Sequence, residues 1–295
     1  MDETDWLRLI DQLTNGDCTP FLGAGACDGT LPSGPALSRD WATACHYPFH
    51  DPGDLPKVMQ YAAFTQGDST YLKQLVCRKL ATADPPDFTA ATEPHAMLAQ
   101  FPLPVFLTTN YDDFLLKALQ SAGKRPQTAI CHWYDPPPHR PGQGPEHTVT
   151  DANQPLVYHL HGSWSDARSL VLTQRDYLDF LVNVSVARGD GSRRLLPSSV
   201  LTALTSKPLL FIGYSLQDWT FLVLFVGLLR NIPDIHLRRS ISVQLPPPVN
   251  GLTADAEERA KTYLQSYLED WRISIFWGTA ADFCTQLRDR IGGGT

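Results

Sequence analysis

The sequence predicts an α/β fold, a Rossmann-like parallel sheet flanked by helices and carrying a helical insertion. Short apolar runs of strand length alternate with longer segments whose apolar residues recur at helical spacing. Four of the runs end in a glycine or polar turn, as strand ends do at the crevice of a doubly wound sheet. The segment after the first run is too long for one crossover. We therefore expect a single domain over residues 1–295, with inserted helices at about residues 36–100.

The first third of the chain reads as one strand surrounded by helices. A helix is expected over residues 5–13, where apolar residues recur at helical spacing before Asn15-Gly16. A buried strand containing Phe21 and Leu22 follows. A loop then leads into the insertion, with Ser33 or Gly34 near the cap and Pro35 in the first turn. The inserted helices are expected around residues 37–45, 55–64, 71–81 and 95–100.

The remaining two thirds alternate between predicted strands and helices. Strands are expected at residues 105–109, 156–160, 169–172, 208–212, 241–245 and 273–276. Helices are expected at residues 113–119, 176–184, 255–271 and 280–291. A further, very apolar helix is expected to follow the turn at 213–218 and to end at residue 229. The segment 135–145 is rich in proline and glycine and cannot pair in a central strand, so a surface loop is expected there.

Composition narrows the class of protein. A formal net charge of -7 argues against a general nucleic-acid binder, although a local basic patch stays open. Because no apolar run reaches membrane-spanning length and the first residues are polar, we expect a cytoplasmic protein without a membrane segment. Six scattered cysteines form no CxxC pair, which favours reduced thiols over a cysteine zinc site.

The turn Gly23-Ala24-Gly25 is the first candidate for ligand binding. It follows an apolar run directly, and glycines there let phosphate oxygens approach backbone N–H groups. The third glycine of the full dinucleotide fingerprint is absent, so an ordinary strand-to-loop turn is an equal alternative.

Four motifs together resemble the sirtuin superfamily. They are the glycine turn, TTNYD at residues 108–112, HG at 161–162 and GYSLQD at 213–218. Within the superfamily the chain is most similar to the bacterial sirtuin-like NAD hydrolases of antiviral defence. The resemblance implies a Rossmann-like domain that takes NAD as substrate and cleaves its nicotinamide–ribose bond, giving nicotinamide and ADP-ribose.

The resemblance also implies roles for individual residues. Asn110 would hold the nicotinamide ribose and position the attacking water; the alternative is a helix N-cap, for which asparagine is well suited. Asp112 would contact the nicotinamide amide, or compensate a helix dipole, or both. His161 would act as base on a ribose hydroxyl or water; the alternative is an inert strand-end histidine.

Two further features, the motif at 213–218 and His159 beside the HG motif, each have more than one interpretation. The resemblance implies that Gly23, Ala24, Gly25, Gly213, Ser215 and Asp218 line the dinucleotide site. Ser215 and Asp218 also have the spacing of a helix capping box. His159 shares a strand face with His161, but no further ligand spacing supports a metal site.

Departures from the protein deacylases disfavour deacetylation. No cysteine occurs between Cys131 and Cys284, so their four-cysteine zinc ribbon is missing and no zinc is expected. Their PDFR segment has no match, and Cys27 stands where many members have serine. ADP-ribosyl transfer, deacylation and a non-catalytic NAD or ADP-ribose sensing module remain as alternatives to hydrolysis.

Unregulated NAD hydrolysis would be toxic, so we expect control by homo-oligomer assembly or by a separate regulatory partner protein. The resemblance makes a motor ATPase or a short Argonaute protein plausible partners, although no motif identifies either.

Overall fold

Seven parallel strands form one sheet, in the order β3-β4-β2-β1-β5-β6-β7. The computed structural model describes residues 1–134, 150–186, 196–215, 238–247 and 254–293. The strands are β1 (Thr19–Leu22), β2 (Val105–Thr108), β3 (Gln127–Ile130), β4 (Leu156–His159), β5 (Leu209–Ile212), β6 (Ser240–Gln244) and β7 (Ile273–Trp277). This confirms the predicted α/β, Rossmann-like parallel sheet.

The central strands are buried on both faces, because helices cover the sheet on either side. Alternate residues of each strand enter opposite cores. Phe21 and Phe211 pack into one core, whereas Leu22 and Leu210 pack into the other. This two-residue period within uniformly apolar runs is what a parallel sheet covered on both faces requires.

Ten helices of the described residues surround the sheet. They are α1 (Glu3–Thr14), α2 (Gly34–Ala44), α3 (Leu55–Gln66), α4 (Ser69–Leu80), α5 (Pro94–Ala99), α6 (Phe114–Ser121), α7 (Gln174–Val186), α8 (Ser198–Ser206), α9 (Ala254–Glu269) and α10 (Ala280–Gly292). The N-terminus of α1 is a capping box, in which Asp2 and Asp5 each accept the other's backbone N–H. Ser33 caps α2 as expected, and Pro35 lies in its first turn.

The helical insertion is formed by α2 to α5, which lie between β1 and β2 in the chain. Residues of α2, α3 and α4 build a third core of their own, centred on Met59, Leu72 and Val76. Leu170 and Leu172 complete that core from outside the insertion. The insertion therefore packs against the segment that follows β4.

One strand expectation is wrong. Residues 169–172 do not form a strand; a 3-10 helix at Ala167–Ser169 leads into an extended buried segment instead. The reason is a tight turn at Gly162, where an added Cβ would lie 2.3 Å from the carbonyl oxygen of Ser169. The chain folds back on itself there, and the N–H of Val171 donates to the carbonyl of His161 at 2.9 Å.

Two further elements were missed by the sequence analysis. Strand β3 lies at the sheet edge and is only partly buried, so its sequence QTAI carries a weak apolar signal. Helix α8, with the sequence SSVLTALTS, is short and rich in serine and threonine. The expected loop at 135–145 and most of the expected apolar helix to residue 229 lie outside the described residues. Across the described ranges, no helix has the length and apolarity to cross a membrane.

The sheet topology places the crevice. From β1 the chain moves to β2 on one side and later to β5 on the other side, so the strand order reverses between β1 and β5. In open parallel sheets, ligands bind outside the carboxyl ends of the strands at such a reversal. The turns that follow β1, β2, β4 and β5 therefore meet at the edge where binding is expected.

Candidate active site

The glycine turns after β1 and β5 pack backbone against backbone. A Cβ on Gly25 would lie 2.9 Å from the Cα of Gly213, and a Cβ on Gly213 would lie 2.2 Å from the nitrogen of Ala26. Gly213 also has a φ of 81°, which side-chain-bearing residues rarely adopt. Close approach between the two turns therefore explains why glycine occurs at these positions.

Two N–H groups of the first turn are already used within the chain. Gly23 donates to the carbonyl of Ile212 at 2.9 Å, and Gly25 donates to the carbonyl of Gly213 at 3.0 Å. Gly23 is buried, whereas Ala24 and Gly25 are exposed at the tip of the turn. Contact between these three residues and NAD stays a prediction.

Asn110 is the polar residue that joins the turns after β1 and β2. Its side chain is buried, and its Nδ2 donates to the carbonyl of Gly23 at 3.1 Å and to the Sγ of Cys27 at 3.3 Å. It does not cap α6, which begins four residues later at Phe114. Because both recorded side-chain bonds use the amide nitrogen, Oδ1 is the atom left to accept a hydrogen bond from a ligand or water.

Asp112, and not Asn110, accepts a backbone N–H at the start of α6. Its Oδ1 accepts the backbone N–H of Phe114 at 3.0 Å, at the start of α6. Its Oδ2 accepts the thiol of Cys27 at 3.3 Å. The neighbouring Asp113 forms an ion pair with Lys117 at 2.9 Å. Asp112 therefore satisfies a helix N-terminus and also lies beside Asn110 through their shared neighbour Cys27.

His159 fixes the backbone of Asn110. Its Nδ1 donates to the carbonyl oxygen of Asn110 at 3.1 Å, since β2 and β4 pair with Thr108 opposite His159. The ring is buried, and this desolvation lowers the pKa of His159 below its usual value. No sequence pattern indicates this role of His159, because only the strand register reveals that it faces the Asn110 turn.

His161 lies at the carboxyl end of β4, next to the end of β2, and is partly buried. Its ring meets the rings of Tyr177 and Phe180 on α7 edge to face, with centroids 5.4 and 5.0 Å apart. Burial lowers the pKa of His161 from 6.5 to about 3. The imidazole is therefore neutral at physiological pH. The two histidines contact different partners, so they do not form the metal pair considered above.

A buried cluster that the sequence analysis did not assemble surrounds Cys27. His95 Nε2 lies 3.9 Å from Cys27 Sγ, and Glu93 Oε1 lies 2.6 Å from His95 Nδ1. Burial, followed by the nearby charge of Asp112, raises the pKa of the Cys27 thiol well above its usual value. Cys27 and His95 are separated by 68 residues, so no local spacing pattern signals their contact.

The turn after β5 is anchored on both sides. The hydroxyl of Tyr214 is hydrogen-bonded to that of Thr109, and its ring packs on Phe21 at 5.1 Å. Gln244 donates to the carbonyl of Tyr214 at 2.8 Å. Ser215 is exposed beyond this anchor, and Asp218 lies outside the described residues. The capping-box alternative for Ser215 and Asp218 is therefore open, as is their contact with NAD.

Comparison with known proteins points to one family. The SIR2-like domain matches residues 104–276. Three similar curated proteins carry the name NAD(+) hydrolase ThsA. The one from Enterococcus faecium is 27% identical over 214 residues, which cover 72% of this chain and 40% of that protein. The one from Cytobacillus dafuensis is 28% identical over 213 residues, covering 72% and 38%.

The third relative, from Acinetobacter baumannii (strain 532279), is 24% identical over 219 residues, covering 72% of this chain and 39% of that protein. The aligned part of the chain thus spans about two fifths of the length of the curated relatives it matches.

Proposed function

Because the chain belongs to the SIR2-like domain family, we propose that it hydrolyses NAD at the nicotinamide–ribose bond. Water adds its oxygen to the ribose carbon, the carbon–nitrogen bond breaks with its electron pair leaving on nicotinamide, and one proton is released. The products are nicotinamide and ADP-ribose. Relatives named as NAD(+) hydrolases support this reaction over a redox use of NAD.

The orientation of Asn110 is the observation that carries the proposal. A buried amide whose nitrogen is held by two acceptors keeps its Oδ1 fixed at the crevice. An acceptor fixed in this way aligns an attacking water or a ribose hydroxyl without reorganising during the reaction. Asp112, held by the thiol of Cys27 and the N–H of Phe114, places a carboxylate beside it, which in this proposal contacts the nicotinamide amide.

His161 supplies the proton acceptor in this proposal. The ring is neutral at physiological pH and so has one unprotonated nitrogen, although its lowered pKa makes it a weaker base than a free imidazole; the residue follows β4, which pairs with β2. A neutral imidazole accepts a proton from a hydroxyl or water only when that group comes within hydrogen-bond reach. Its edge-to-face packing on α7 holds the ring orientation.

The experiment that tests the proposal measures the products directly. Purified protein is incubated with NAD, with and without an acylated peptide, and nicotinamide, ADP-ribose and acyl-ADP-ribose are quantified. Hydrolysis predicts equal amounts of nicotinamide and ADP-ribose, independent of the peptide. Peptide-dependent nicotinamide release would indicate deacylation or transfer. Saturable NAD binding without products would indicate a sensing module.

The proposal also covers how the activity is controlled. We infer that activity is controlled by homo-oligomer formation or by a separate partner protein, because free turnover would drain the NAD of its own cell. Measuring specific activity against oligomeric state tests this, and a fully active monomer alone would contradict it. Free thiols at all six cysteines support a reducing, cytoplasmic location. A role in antiviral defence predicts that wild type, but not an Asn110→Ala variant, restricts phage growth.

A further inference from the structure

We propose that Cys27, His95 and Asp112 form a binding site for a thiophilic divalent cation such as Zn²⁺, beside Asn110. Within the described part of the chain, these three side chains are the group whose potential ligand atoms all lie within 4.8 Å of one another. All three are buried, with 2%, 1% and 5% of their surface exposed. One sulfur, one imidazole nitrogen and one carboxylate oxygen are the ligand types that zinc takes in proteins.

The distances between the ligand atoms suit a single ion. Cys27 Sγ lies 3.3 Å from Asp112 Oδ2 and 3.9 Å from His95 Nε2. Tetrahedral zinc, with a Zn–S distance of about 2.3 Å and Zn–N and Zn–O distances of about 2.0–2.2 Å, separates such atoms by roughly 3.3–3.6 Å. The two sulfur distances are therefore within a few tenths of an ångström of those values, and the remaining pair, His95 Nε2 and the Asp112 oxygen, lies within 4.8 Å and would have to close further around an ion.

A second carboxylate orients the histidine. Glu93 Oε1 lies 2.6 Å from His95 Nδ1, which directs the other ring nitrogen, Nε2, toward Cys27. Glu93 is itself fixed at the start of α5, where its Oε2 accepts the N–H of Ala96 at 2.6 Å. Metal-binding histidines characteristically donate their second N–H to a carboxylate in this way.

Charge also favours a cation. Asp112 and Glu93 are both buried, with 5% and 8% of their surface exposed. Among the residues that the structure describes, no lysine or arginine pairs with either carboxylate, and the ion-pair partner recorded for Glu93 is His95. Buried carboxylates are costly without a compensating charge. A divalent ion would supply it and would also stabilise the thiolate of Cys27.

The site would join three separate parts of the fold. Cys27 ends the 3-10 helix after β1, His95 lies in the last helix of the insertion, and Asp112 follows β2. Three protein ligands leave a fourth position open, as in catalytic rather than structural zinc sites. Asn110, whose amide lies 3.3 Å from the same sulfur, is adjacent to the metal position.

This inference departs from the expectation that the chain holds no zinc. That expectation rested on the missing four-cysteine ribbon, whereas this cluster uses one cysteine and residues 68 and 85 positions away. The inference does not depend on NAD hydrolysis, because metal binding is measured without NAD.

The test is a titration of the chelator-treated full chain with Co²⁺, followed by absorption spectroscopy. We expect one equivalent to bind, with a sulfur-to-cobalt charge-transfer band that added Zn²⁺ removes. Cys27→Ser preserves the hydrogen bonds of the thiol but is expected to lose the band. Cys45→Ser, which alters a half-buried thiol outside the cluster, is the matched control and should bind Co²⁺ as wild type does.

A second variant keeps the test decisive if Cys27→Ser does not fold. Glu93→Gln leaves all three ligands in place and is expected to weaken Co²⁺ binding by roughly 10–100-fold, as loss of an orienting carboxylate does. Circular dichroism confirms folding of each variant. Failure of wild type to bind one equivalent, persistence of the band in folded Cys27→Ser, or unchanged affinity in folded Glu93→Gln would overturn the proposal.

Discussion

The side-chain amide of Asn110 donates to the carbonyl oxygen of Gly23 at 3.1 Å and thereby ties the turn after β2 to the turn after β1. The carbonyl of the same asparagine accepts a hydrogen bond from His159, at the end of β4. Three neighbouring strand ends are thus fixed relative to one another through a single residue. The side chain of Asn110 is thus held by Gly23 and its backbone by His159, and a residue fixed in this way is pre-organised to orient a reacting group.

The close packing of the glycine turns predicts that a methyl group added at Gly213 destabilises the fold strongly. Gly213→Ala places a Cβ 2.2 Å from the nitrogen of Ala26 and forces alanine to a φ of 81°, so we expect a loss of about 3 kcal/mol or more in the free energy of unfolding. Chemical denaturation measures this.

Gly29→Ala is the matched control for that measurement. Gly29 has a similar φ of 77°, but nothing lies within 4 Å of its Cβ position. Backbone strain alone should then cost about 1–2 kcal/mol. Equal losses in the two variants would show that the approach between the turns does not constrain Gly213.

The contacts of Cys27 predict that serine replaces it better than alanine. A hydroxyl can donate to Asp112 and accept from Asn110, as the thiol does, so Cys27→Ser should fold with near-normal stability. Cys27→Ala leaves one acceptor and one donor without their partner and should lose about 1–3 kcal/mol. Urea unfolding of the two variants, compared with wild type, decides; an alanine variant as stable as the serine variant would argue against the hydrogen bonds.

The lowered pKa of His161 predicts a loss of stability in acid. The folded state binds this proton only near pH 3, whereas the unfolded chain binds it near 6.5. Stability from the neutral ring is therefore fully present above pH 6.5 and falls as the pH drops from 6.5 toward 3. Burial lowers the pKa of His159 in the same direction, so both histidines contribute with the same sign.

His161→Phe isolates this contribution. Phenylalanine keeps an aromatic ring against Tyr177 and Phe180 but has no proton to bind. The difference in unfolding free energy between neutral pH and about pH 5 should be smaller in this variant than in wild type, since carboxyl titrations are common to both proteins. Identical pH dependence in the two proteins would mean that His161 is not desolvated.

How far the sequence predicted this structure depended on whether the signal was local. The glycine turns, the capped start of α2 and the strands around Phe21 and Phe211 have patterns that lie within a few residues, and these predictions are confirmed. The strand expected at residues 169–172 was wrong because the turn at Gly162 folds this run back onto His161, and Leu170 and Leu172 are buried by the insertion instead of by strand pairing.

In the candidate site, too, only the residues with a local sequence motif could be predicted. Asn110 and Asp112 were predicted as site residues from their motif, and the structure adds that Asp112, rather than Asn110, bonds to the first turn of α6. The contacts of His159 with Asn110 and of His95 with Cys27 depend on strand register and on packing across 49 and 68 residues. No periodicity carries that information, so these residues became visible only in the fold.

The most direct test of the central claim is the rate of nicotinamide release from NAD by wild type and by Asn110→Ala, at matched melting temperatures. If Asn110 orients the reacting groups, turnover should fall by about 100-fold or more while the fold is retained. Exposed Asn153→Ala serves as the control and should keep the wild-type rate. Near-equal release by wild type and folded Asn110→Ala, or no release by folded wild type at any protein concentration, would contradict the account.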